Sequence, residues 1–92
     1  MIIGFCHKGL KLFYETGSKS GIQAAHAKKL TMILALLDAA QTPVELNLPK
    51  LQLHQLQGNL NGHWSVSVNG NWRVTFRFAG ANVELVDYQD YH

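Results

Sequence analysis

The sequence predicts an α+β domain: two N-terminal helices packed on one face of a four- to five-stranded antiparallel sheet. Three observations carry that expectation. Apolar residues recur at helical spacing up to Ala40, then at a spacing of two from Leu51 onward. A helix-breaking stretch, "TPVELNLP", divides the two regimes. Short alternating runs joined by Gly- and Asn-rich turns fill the second half, as neighbouring antiparallel strands do.

The elements follow in order. "IIGF" is a short β-type run, and "HKGLKLFYETG" reads as a helix stopped by Gly17. "GSKSG" is a flexible connector by composition. A long helix is expected from Ala24 to Ala40, with His26, Leu30, Ile33, Leu34 and Leu37 along one face. Its far side holds Met32, Ala35, Leu36 and Ala39, so this helix is either buried on two sides or awaits a partner. "LQLHQL" alternates and then turns at "QGNLNG". "HWSVSV" and "WRVTFRF" place Trp64, Val66, Val68, Trp72, Val74, Phe76 and Phe78 toward the helices. His63, Ser65, Ser67, Arg73, Thr75 and Arg77 then share the other, solvent-facing side. "NVELVDY" makes the last strand.

The "VNGNW" connection fixes the register. A plain two-residue Asn-Gly turn would set apolar residues opposite polar ones on every rung. A three-residue loop, or a bulge that restores parity, pairs Val66 with Val74 and Trp64 with Phe76. Ser67 then lies opposite Arg73, and His63 opposite Arg77.

Composition bounds the class. Ninety-two residues make a single domain, 1–92, large enough to fold without staples. A hydrophobic share of 47% and a charged share of 15% are globular, and the low charge points to a partly covered surface. The lone Cys6 excludes an internal disulfide and reads as a small buried residue on a strand, in a reducing cytoplasm. "LTMILALL" is far short of the ~20 apolar residues a membrane span needs. The N-terminus has no signal-peptide pattern. Residues 1–50 hold six lysines against Glu15, Asp38 and Glu45, while the rest holds Arg73 and Arg77 against Glu84, Asp87 and Asp90. This asymmetry permits a polyanionic partner.

Singly, His54, His63, Arg73 and Arg77 are ordinary surface residues, and the terminal "DYH" an ordinary tail. Together they supply what metal-free RNA cleavage needs. A base takes the proton of the ribose 2′-OH, a cation steadies the charged phosphorus centre, and an acid protonates the departing 5′-oxygen. Histidine serves either proton role near neutrality. Arginine grips phosphate in a bidentate fashion, and Tyr91 offers a ring for an unpaired base. A zinc site from His54, His63, His92 and Asp90 is the competing reading. It lacks a tight ligand spacing, and the arginines oppose a cation, so no metal and no cofactor are expected.

"LHQLQGNLNGHWSVSVNGNWRVTFRF", the early "HKGLK" and the final "DYH" resemble the HigB toxins, RelE-superfamily members of bacterial toxin–antitoxin pairs. The resemblance runs over nearly the whole chain. It implies a microbial-RNase-like fold and a cytoplasmic, ribosome-dependent endoribonuclease that cuts mRNA in the A site of the 70S ribosome. It also implies neutralisation by a HigA-type helix-turn-helix antitoxin in a heterotetramer. By position, His54, Asp90, Tyr91 and His92 match the family's catalytic group, Arg73 its phosphate contact and Asn71 a nucleotide contact. Gln57 stands where family members often carry lysine, so Arg77 or a lysine of the first helix is expected to supply that cation. Lys8, Lys11, Lys28 and Lys29 are candidate ribosomal-RNA contacts. The alternative is a non-catalytic RNA- or protein-binding module of the same fold.

Overall fold

The computed structural model describes residues 1–58 and 62–90. Helix α1, Lys8–Thr16, is closed at both ends by its own sequence. The His7 ring accepts the Leu10 amide through Nδ1 at 2.9 Å, filling one orphan donor of the first turn. Gly17 ends the helix at φ 79, a left-handed conformation that suits glycine. A 3₁₀ turn, Ala24–His26, leads into α2, Ala27–Ala39. The connector passes so close to α1 that a Cβ on Gly9 would stand 2.7 Å from the Gly21 Cα.

Four strands follow in the spatial order of the chain: β1 His54–Gln55, β2 His63–Asn69, β3 Trp72–Ala79 and β4 Asn82–Asp90, all antiparallel to their neighbours. The N-terminal run adds to β4 in parallel, with Ile2 bridging Val83 and Phe5 bridging Val86. Leu30, Ile33, Leu34 and Leu37 of α2 meet Leu10 and Phe13 of α1 over Val66, Val68, Val74, Phe76, Val83 and Val86, forming a continuous core. His26 is buried at the end of the same helical face.

The register of the β2–β3 pair is settled by a bulge. Asn69 pairs with Trp72, the pairing shifts between Ser67 and Asn69, and beyond it Val66 faces Val74 and Trp64 faces Phe76. Ser67–Arg73 and His63–Arg77 are rungs, as the parity argument required.

Three expectations need correction. The alternation at "LQLHQL" becomes a strand only over His54–Gln55, because Gln52 takes a left-handed turn at φ 48. Leu51, just before it, is buried, and its carbonyl takes the Ser67 amide at 2.6 Å. Cys6 is exposed, since only its amide joins the sheet edge before the chain turns into α1. The polar face is not open throughout: Ser65 is 2% and Thr75 3% exposed, small residues shadowed by longer neighbours. Of the two alternatives for α2, burial on two sides is not the one adopted, for Met32, Ala35 and Ala39 are exposed and Leu36 packs only partly on the core.

Candidate active site

The sheet face away from the helices carries the candidate chemistry. Register pairing lays its side chains in rows, because residues directly opposite in antiparallel strands share a face. One row runs His54, Ser65, Thr75, Asp87; the next runs Ser67, Arg73, Gln89; a third runs His63, Arg77, Glu84. Ser65 and Thr75 form a floor of small hydroxyl side chains, and histidines and arginines stand around it. His54 is exposed on β1. Two strands across and one row along, Arg73 lies about 12 Å from it between Cα atoms by ordinary sheet spacing. Both side chains are long enough to reach a group placed over the floor between them.

Arg73 is half-buried, and its Nη1 is shielded from water with no hydrogen-bond partner among the described residues. A buried, unpaired guanidinium donor costs free energy, on the order of 1–3 kcal/mol or more for a charged group. Such a donor is poised for an anion. The shielded Nδ1 of His63 is likewise without a partner among the described residues. Asn71 is exposed on the turn between β2 and β3, immediately before the Trp72–Arg73 start of β3.

The remaining candidates are placed differently. Arg77 is exposed, and its Nε is held by Glu84 at 3.1 Å, so it offers only part of its fork to a substrate. Asp90 pairs with Trp72, and that register position belongs to the Trp72–Tyr88 side of the sheet and not to the Arg73–Gln89 side. It is exposed and has an interaction partner. Tyr91 and His92 lie outside the described residues. Lys8, Lys11 and Lys28 are exposed on the helices, whereas Lys29 donates to the Lys50 carbonyl at 3.2 Å. Gln57 is exposed just beyond β1. Among the described residues, no three His, Cys, Asp or Glu side chains gather as a metal site would require.

Two features escaped the sequence reading. Asp87 joins the His54 row, where Oδ1 accepts the Tyr88 amide at 2.9 Å and Oδ2 the Gln89 side-chain amide at 2.7 Å. Beneath the sheet, buried His26 and Tyr88 and partly buried Trp72 form an aromatic group. The position of His26 on an otherwise aliphatic helical stripe was the available signal for the second.

Solved structures define the class of fold. The chain superposes on the YoeB–YefM complex from Staphylococcus aureus with a TM-score of 0.64 at 17% identity, covering 100% of this chain and 98% of that one. It superposes on a YafQ mutant from E. coli with a TM-score of 0.58 at 18% identity, covering 98% and 93%. The fold is that of these small proteins. The sequence is more specific. A model of the RelE-like toxin of the type II toxin–antitoxin system HigB matches residues 3–92. "Endoribonuclease HigB" of Proteus vulgaris is 41% identical over 92 residues, all of both chains. "Toxin HigB-1" of Vibrio cholerae serotype O1 is 35% identical, over 100% of this chain and 98% of its own. The chain belongs to the HigB-like family, the toxin half of a type II toxin–antitoxin system. No helix among the described residues is long and apolar enough to cross a membrane.

Proposed function

We propose that this toxin is a metal-independent endoribonuclease that cuts ribosome-bound mRNA by attack of the ribose 2′-OH. Endonuclease activity is supported by the full-length relative at 41% identity that bears that name. The observation that carries the mechanism is Arg73, half-buried and donor-rich on the same sheet face as His54.

In the proposed reaction, His54 and His92 act as the acid–base pair. One removes the 2′-OH proton as that oxygen bonds to phosphorus; the other protonates the 5′-oxygen as its bond to phosphorus breaks. Each such transfer contributes ~10²–10⁴-fold. Arg73 stabilises the negative charge that builds on the phosphoryl oxygens. Asn71, on the exposed turn beside it, contacts a nucleotide, and Tyr91 stacks on a base. Asp90, which ends β4 at a register position on the opposite side of the sheet, is assigned to the group by its match to the family pattern. Arg77, already shared with Glu84, serves as an outer phosphate contact. Lys8, Lys11 and Lys28 face ribosomal RNA, with Lys29 committed in part to Lys50. The neutralising partner is a HigA-type helix-turn-helix antitoxin, and the co-purified complex should have the mass of a heterotetramer.

The test is an mRNA with a 2′-deoxyribose at the scissile position on programmed ribosomes. It should bind and resist cutting, while the normal substrate yields a cyclic or opened phosphate on the 5′ fragment and a free 5′-OH on the 3′ fragment. Normal-rate cleavage of the deoxy substrate overturns 2′-OH attack. A non-catalytic module would cut neither substrate and would leave growth unchanged on induction.

A further inference from the structure

The side of the sheet opposite the polar face bears on the same residues. The N-terminal run grips β4 only as far as Val86: Ile3 and Cys6 donate to Val83 and Val86, whose amides bond back to Met1 and Gly4 at 2.8 and 3.1 Å. Past that point, the Tyr88 amide is taken by the side chain of Asp87. The last β3–β4 rungs, Arg73–Gln89 and Trp72–Asp90, therefore lie beyond the reach of this grip. Ladder ends fray unless side chains hold them.

Tyr88 is what holds them. It is 4% exposed, and its ring stacks on Trp72 with centroids 4.5 Å apart and planes at 29°. Its hydroxyl lies 2.6 Å from His26 Nδ1, in a hydrogen bond whose donor follows the imidazole tautomer, and receives the Gln23 amide at 3.4 Å. The His26 ring meets Trp72 edge-on at 5.6 Å, and the His7 ring meets Tyr88 at 5.3 Å. Strands β3 and β4 and the starts of both helices thus converge on one phenol. Trp72 sits in sequence between Asn71 and Arg73 and pairs across the sheet with Asp90. Burial raises the Tyr88 pKa, the Gln23 amide offsets part of this, and the Asp90 carboxylate raises it further, so that charge reaches the phenol.

From this geometry we infer that Tyr88, hydrogen-bonded to His26 and stacked on Trp72, is a positioning residue that sets Arg73, Asn71 and Asp90 for the reaction from behind the sheet. The inference rests on the endoribonuclease reading for its kinetic consequence but not for its structural one. A core tyrosine with no such role would contribute stability alone.

The experiment compares Tyr88→Phe, His26→Leu and His26→Asn in the full chain. Tyr88→Phe keeps the stacked ring and removes both hydroxyl bonds. His26→Asn keeps a polar group able to donate or accept near where Nδ1 stood, and His26→Leu does not. Cleavage on programmed ribosomes should fall about tenfold in kcat for Tyr88→Phe and His26→Leu, with KM unchanged. His26→Asn should recover most of that loss. Amide hydrogen exchange, which needs no activity, should speed about tenfold at Arg73 and Asp90 in the first two variants, with Val66 and Leu37 unchanged. Uniformly faster exchange with kcat unaltered per folded molecule would overturn the inference, as would equal kcat in the Leu and Asn variants at position 26. If the unaltered toxin cuts nothing, the exchange pattern alone decides: local acceleration upholds the positioning role, and its absence removes it.

Discussion

Strand β3 presents two different proteins on its two sides. Toward the helices, Val74 and Phe76 are wholly buried among aliphatic neighbours, each fixed by contacts from several elements. Toward solvent, Arg73 and Arg77 flank Thr75, with a donor unpaired among the described residues on one arginine and an ion pair on the other. The first side is over-determined by close packing. The second is held in place by the first and leaves polar groups unsatisfied. What alternation teaches here is that stability and chemistry occupy adjacent residues without sharing contacts, so each should be removable without the other.

The strongest way to break the separation is Phe76→Ala. Truncating a buried ring costs about 3–5 kcal/mol, a large share of the ~5–15 kcal/mol that holds a typical domain. Chemical denaturation should show most of that loss, and activity should vanish only with the folded fraction. One residue position decides the opposite case. Arg73→Ala should reduce cleavage by roughly 10²–10³-fold, the usual scale for losing a group that stabilises transition-state charge. Its Tm should hold or rise, because a shielded unpaired donor has been deleted. A Tm that falls in step with activity would show that the two faces are not separable.

The smallest effect sharpens the comparison through pH. The Tyr14 hydroxyl donates to Asp38 Oδ2 at 2.6 Å, and Oδ1 of the same carboxylate receives the Ile2 amide at 2.9 Å. That hydrogen bond, with some burial and the negative charges of Asp38 and Glu15, raises the Tyr14 pKa above 10.0. Tyr88 is raised as well, chiefly by burial. A raised folded-state pKa favours the neutral phenol, so the contribution is complete below the unfolded value and is lost as pH climbs through the folded one. Thermal melts should therefore decline above about pH 10. Tyr14→Phe should flatten part of that decline, and Tyr88→Phe the remainder.

Much of this was legible because it depends on period. The aliphatic stripe of α2, the Gly17 stop and the parity of the β2–β3 register are statements about alternation, and packing had no reason to override them. The truncated β1 was not legible, because the left-handed Gln52 and the burial of Leu51 are set by tertiary contacts. Exposure of Cys6 follows from where the edge run stops, which no local pattern states. For the candidate site, the shared face of His54 and Arg73 could be read from alternation. The opposite-side register of Asp90 was not worked out, although it follows from counting along β4 from Asp87. Tyr88 was invisible as a junction because its partner His26 lies far away in sequence.

The parallel bridges of Ile2 to Val83 and Phe5 to Val86 also order events in time. A chain made from its N-terminus can form α1 and α2 early, since their hydrogen bonds are local. Its first extended residues have no partner until β4 has been synthesised, and closing so long a loop is slow compared with helix formation. Docking of the N-terminal run onto the sheet therefore waits for β4, whereas β1, β2 and β3 pair with strands that are neighbours in sequence and can form before it.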